Sequence, residues 1–150
     1  MAKLESWTSI GALAMGSLFV SLMISFYAFL IGPDGKGPNV DVDPGALLGQ
    51  TISISGAPSL ILVGIALGLS FRSRNVFAGS ILILTGLAFI VGMWVTDSMI
   101  RDIDVQYKTT GLEYAPKIFL VAGIGVLSLG AYLAKIAPQS KVRRARDYER

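Results

Sequence analysis

The sequence predicts an all-α integral membrane protein: four transmembrane helices running up-down-up-down, with helical extensions on the extracytoplasmic side. Three observations predict it. The chain is 53% apolar and only 15% charged, with a mean hydropathy of +0.63, whereas an ordinary soluble domain carries about 25% charged residues. The charges are confined to short stretches that separate four long apolar runs, each of the roughly 20 residues needed to cross a bilayer. The sign of the charge also alternates from one intervening stretch to the next, as an antiparallel arrangement of spans requires.

Between Trp7 and Pro33 there is no charged residue, and the first span is placed at about 8–31. A cleaved signal peptide fits poorly. Its basic region would be Lys3 offset by Glu5, its apolar stretch is too long, and no small-x-small cleavage site follows Ile31. Ser17, Ser21 and Ser25 recur every four residues, a narrow small-residue stripe against which another helix can pack. Such hydroxyls ordinarily bond the carbonyl one turn back.

The following outer loop, 32–50, opens with Gly32-Pro33-Asp34-Gly35-Lys36-Gly37-Pro38, a run of turn formers that ends the helix. Asp43-Pro44 reads as an N-cap with proline at the first helical position, so a second helix begins ahead of the membrane. Asp34, Asp41 and Asp43 lack the twelve-residue pattern of a calcium loop and read as a solvated acidic surface. The second span is placed at about 51–71. Pro58 falls within it and predicts a kink or a junction, while Gly64 and Gly68 form a GxxxG that permits close helix contact.

Arg72-Ser73-Arg74-Asn75 is too short to do anything but reverse the chain, which predicts that the second and third spans are antiparallel neighbours. The third span, about 76–96, is the clearest of the four. Asn75 to Thr96 is uncharged, and each of its Val, Ile, Leu and Phe residues favours insertion by about 0.3–0.6 kcal/mol. Gly79 and Gly86, two turns apart, give it a small-residue face. Beyond it, in the outer segment 97–116, Asp97/Arg101 and Asp104/Lys108 are acid-before-base pairs at helical spacing. They predict an amphipathic continuation of the helix to Lys108. Its apolar side, with Met99, Ile100 and Ile103, forms an outer interaction surface to be covered either by Ala46-Leu47-Leu48 or by another subunit. Pro116 is expected to start the fourth span, about 117–137, with Lys135 snorkelling at its far end and Pro138 breaking it. In the basic tail, 138–150, Arg143, Arg144 and Arg146 are the candidate contacts with anionic lipid, at about 1 kcal/mol per basic residue. The same charges serve as a plain topology signal, and so short a tail gives no basis for nucleic-acid binding.

Basic residues at Arg72/Arg74 and in the tail, with acids prevailing in the other two loops, place both termini in the cytoplasm by the positive-inside rule. The 150 residues thus form a single four-span domain in a plasma membrane.

The chain has no Cys and no His, which removes disulfides, thiolate chemistry, His-ligated haem and the usual zinc and copper sites. No Asp, Glu or Arg falls inside a span and the one Lys is terminal. Proton relays, pumps and voltage sensors depend on such residues. An acidic catalytic or ion-binding role would fall to Asp97 and Asp102, but nothing in the sequence identifies a substrate pocket beside them. The chain is therefore expected to have no catalytic, cofactor-binding or metal-ligating residue of its own. It reads as a structural or accessory subunit whose partners are other integral membrane subunits and membrane lipids, in a hetero-oligomer. The alternative is a small four-span transporter, channel or lipid-handling protein.

In length, in four-span layout, in the acidic outer loop GPDGKGPNVDVDPG and in the outer segment DSMIRDIDVQYKTTGLEYAP, the chain resembles small accessory membrane subunits of archaeal respiratory or nitrifying complexes, particularly those of the ammonia monooxygenase. That resemblance implies membership of an oxidoreductase complex in the archaeal plasma membrane, with any copper held by partner subunits.

Overall fold

The computed structural model describes residues 4–73 and 75–148, the stretch 137–148 by its backbone alone. All regular structure among them is helical. Helix α1 covers Leu4–Ile31, α2 Pro44–Thr51, α3 Ala57–Ser73, α4 Val76–Met99 and α5 Thr110–Tyr148. A π-helical turn, Ile52–Gly56, joins α2 to α3, so Pro44–Ser73 is one long helical rod. Among the described residues four helices are long and apolar enough to cross a membrane: Leu4–Ile31, Pro44–Ser73, Val76–Asp102 and Thr110–Ile136.

The second span begins where Asp43 caps it. One carboxylate oxygen accepts from the backbone N–H groups of Gly45 (2.9 Å) and Ala46 (3.2 Å), and Pro44 takes the position where no donor is needed. Pro58 acts about four turns further on. Residue 58 has no N–H to offer, and the helix accommodates it by widening: the Ala57 N–H reaches back five residues to the Ile52 carbonyl. A π turn therefore stands where the sequence predicts a kink or a junction, and it forms the junction of α2 with α3.

Helix packing departs from chain order. α4 lies along α5 and also against α1, and α1 lies along α3, whereas α3 and α4 touch little beyond their link. The expectation that the second and third spans are packed neighbours is thus corrected. The start of α1 is wedged at their junction. There the Asn75 side chain donates to Ser6 Oγ (3.0 Å) and Glu5 Oε1 (3.5 Å) while accepting from the Phe77 N–H (3.0 Å) to cap α4. Asn75→Ala is expected to cost about 1 kcal/mol, read as a lower midpoint in detergent unfolding. Asn75→Asp, which keeps the acceptor but loses the donor, recovers only part of that.

Two apolar clusters fill the interior. At the end where α1 begins and α3 ends, Ala12, Val63, Ala66, Leu82, Val126 and Leu133 form one cluster, with Leu62 and Leu67 packed against it. At the opposite end a larger cluster draws Phe19, Met23, Tyr27 and Leu30 of α1 together with Phe89 and Met93 of α4 and Leu112 and Phe119 of α5.

Three predicted boundaries are corrected. The third helix does not run on to Lys108. It tightens into a 3-10 turn, Ile100–Asp102, and leaves helical geometry at Ile103 (ψ 134°). Ile103 is drawn inward to 2% exposure, and Asp104 then caps a second 3-10 turn, Val105–Tyr107, by accepting from the Gln106 N–H. Burying one isoleucine outweighs two exposed ion pairs worth a few tenths of a kcal/mol each. The fourth helix starts at Thr110, with Pro116 inside it and fully buried. Pro138 does not end it either, and the backbone stays helical to Tyr148. A proline deletes one backbone bond, and the Lys and Arg residues that follow Pro138 are good helix formers.

Candidate functional site

The sequence-derived packing residues sort into an inner and an outer set. Gly79 and Gly86 are buried in the α4–α5 seam. A Cβ built at Gly86 would lie 2.6 Å from the Leu127 nitrogen and 2.8 Å from the Gly123 carbonyl oxygen. One built at Gly79 would lie 3.0 Å from the Ala134 nitrogen. Gly123 and Gly130 answer from α5, with built Cβ atoms 3.1 Å from the carbonyl oxygens of Gly86 and Gly79 respectively. Each helix thus brings a pair of glycines seven residues apart to the same seam, and the two backbones meet without side chains between them. Gly123 and Gly130 were legible only by matching that spacing across two helices.

Gly64 and Gly68 are placed differently. Both are exposed, and a Cβ at either would meet nothing within 4 Å. Ile61 (62% exposed) and Ile65 flank them on the same outward side of α3. Ser17, Ser21 and Ser25 are also exposed, on the outer side of α1. Among the described residues their hydroxyls find no hydrogen-bond partner, which corrects the expectation that they bond one turn back. Ser80, Thr85, Thr96 and Ser128 do make that bond, to Val76, Ile81, Gly92 and Ile124. A shallow cleft lies at the loop end of α1, between Ala28 and Phe29 and the loop residues Gly32, Pro33, Pro38, Asn39 and Val40.

Of the outer interaction surface expected from Met99, Ile100 and Ile103, Ile103 is buried and Met99 and Ile100 are partly buried. Ile103 belongs to the large cluster with Leu48 and Leu112, and Met99, Ile100 and Leu47 pack against it. Of the two covers the sequence allows, the α2 segment is therefore the one found. Asp97 and Asp102 lie at this end of the bundle, Asp102 exposed, and among the described residues neither belongs to a group of acids that could hold a cation. Among the described residues no group of three or more His, Cys, Asp or Glu side chains could hold a metal ion. The side chains of Arg143, Arg144 and Arg146 lie outside the described residues.

One polar contact in the apolar cluster escaped the sequence altogether. The Tyr27 hydroxyl, on a fully buried side chain, donates to the Leu112 carbonyl at 2.6 Å, joining α1 to the first turn of α5. In an uninterrupted helix that carbonyl would accept from the N–H of residue 116, which is proline.

The chain is a multi-pass, all-α membrane protein. No family model, curated protein or solved structure matches it. Its functional reading therefore rests on these surfaces.

Proposed function

We propose that the chain is a non-catalytic structural or accessory subunit of a multi-subunit integral membrane complex. The observation that carries this reading is the pair of outward faces on α3 and α1. There Gly64 and Gly68 have open space where other glycines of the chain meet a helix backbone, and Ser17, Ser21 and Ser25 keep free hydroxyls along a membrane span. In lipid, small residues and hydroxyls are the groups that bring helices together, because apolar area alone gives no preference for protein over lipid. The occupants proposed for both faces are transmembrane helices of other subunits, so the assembly is a hetero-oligomer with lipid around it. Its likeness in layout to accessory subunits of archaeal ammonia monooxygenase or respiratory oxidoreductase complexes supports an oxidoreductase assembly in the plasma membrane. Partner chains would then hold any copper. Both termini would face the cytoplasm, and the end of the bundle that holds Ile103 the outside.

Mild-detergent extraction from the native membrane followed by native mass spectrometry tests the reading. The chain is expected in a stoichiometric assembly with other membrane subunits, and recovery only as a monomer or small homo-oligomer would sink the proposal.

A further inference from the structure

We propose that Pro116 and Tyr27 form a hinge and latch at which a cap, the segment Ile103–Ala115, opens away from the bundle. The segment consists of a 3-10 turn, a short connection and the first turns of α5, and much of it is exposed, Val105 at 80%. Among the described residues its attachment is apolar, through Ile103, Leu112 and Ala115 in the large cluster and Tyr107 packed against it, except at one point. That point is the 2.6 Å bond from Tyr27 to the Leu112 carbonyl.

Pro116 creates the need for that bond. By lacking an N–H it leaves the Leu112 carbonyl without its helical donor in a buried place, and it removes one of the bonds that would tie the first turns of α5 to the rest of the helix. A proline alone would give a loose joint with an unsatisfied carbonyl. The Tyr27 hydroxyl supplies the missing donor from a different helix, so the joint is held only while the cap is seated. Opening breaks the bond and exposes the carbonyl to water. The cap is thereby coupled to α1, although the two are remote in sequence.

The test is amide hydrogen exchange on the full chain in nanodiscs, read by mass spectrometry. Tyr27→Phe is expected to raise exchange between Ile103 and Ala115 about tenfold or more, while amides of α4 between Val76 and Thr96 keep their protection. Pro116→Ala restores the N–H, and in that background Tyr27→Phe should change cap exchange by less than about threefold, because the carbonyl is satisfied within the helix. Equal acceleration in both backgrounds would show that the hydroxyl does not replace the missing amide. Acceleration spread evenly over all four spans would mean that the segment does not open separately, and no change on Tyr27→Phe would remove the latch. Any of these three results overturns the proposal.

Discussion

Gly86→Ala is expected to destabilise the bundle by about 3 kcal/mol, the upper part of the range for overpacking a filled interior. The added methyl carbon would stand 2.6 Å from the Leu127 nitrogen and 2.8 Å from both the Leu127 Cα and the Gly123 carbonyl oxygen. All three neighbours are main chain. A crowded side chain can rotate aside, but here relief requires α4 and α5 to separate, and separation loosens the matching contact at Gly79 and Gly130 one heptad away. The expected readout is a lower midpoint in detergent-induced unfolding, with helix content retained because each span remains hydrogen-bonded within itself. Gly64→Ala supplies the comparison. A Cβ there meets nothing, so the variant should unfold at the wild-type midpoint or up to about 1 kcal/mol later, from helix propensity alone. Equal loss in both variants would show that these glycines matter through chain flexibility rather than close approach.

This contrast marks how far the sequence could be read. Periodicity and absence of charge place all four spans, because they are properties of each segment considered alone. The Asp43-Pro44 start is legible for the same reason, since a cap and its helix are contiguous. Which small-residue face turns inward is not a local property. Gly64-Gly68 and Gly79/Gly86 look equivalent along the chain, and only the lateral arrangement, with α1 between α3 and α4, buries one pair and leaves the other outside. The link at Arg72–Asn75 pointed to the wrong neighbour because it fixes direction without fixing contact.

Apart from Pro44, whose outcome is set by its contiguous cap, the prolines were legible as perturbations and illegible as outcomes. Pro44 opens a helix, Pro58 is absorbed by a π turn, and Pro116 is compensated by a hydroxyl from α1. The residue type dictates only that one donor is missing. What replaces it depends on tertiary neighbours, and Tyr27 lies too far from Pro116 in sequence for any local pattern to join them. The outer segment failed for a related reason. Asp97, Arg101, Asp104 and Lys108 have helical spacing, yet the cost of leaving Ile103 uncovered outweighs the small gain from those pairs, and the chain turns back.

Phe19→Ala is the second change of large expected effect, about 3 kcal/mol. Phe19 is completely buried at the centre of the larger cluster. Its ring stands 4.4 Å from that of Phe119 and 6.0 Å, edge to face, from that of Phe89, and a Cβ at Gly56 would come within 2.8 Å of it. One side chain therefore touches α4, α5 and the π turn at once. In a soluble core a Phe→Ala change costs about 3–5 kcal/mol, the sum of transfer and cavity terms. Within a bilayer the transfer term largely vanishes, since lipid is as apolar as the interior, and the lower end of that range is expected. What remains is lost dispersion and two broken ring pairs, each worth about 0.5–1.5 kcal/mol. Phe29→Ala is the control. Phe29 is 43% exposed on the same helix and has no ring partner among the described residues, so its loss should move the unfolding midpoint little. If the two variants unfold alike, the aromatic cluster is not what holds the cap end of the bundle together. If only Phe19→Ala falls, the helices there are kept at their spacing by rings, as α4 and α5 are kept at theirs by glycines.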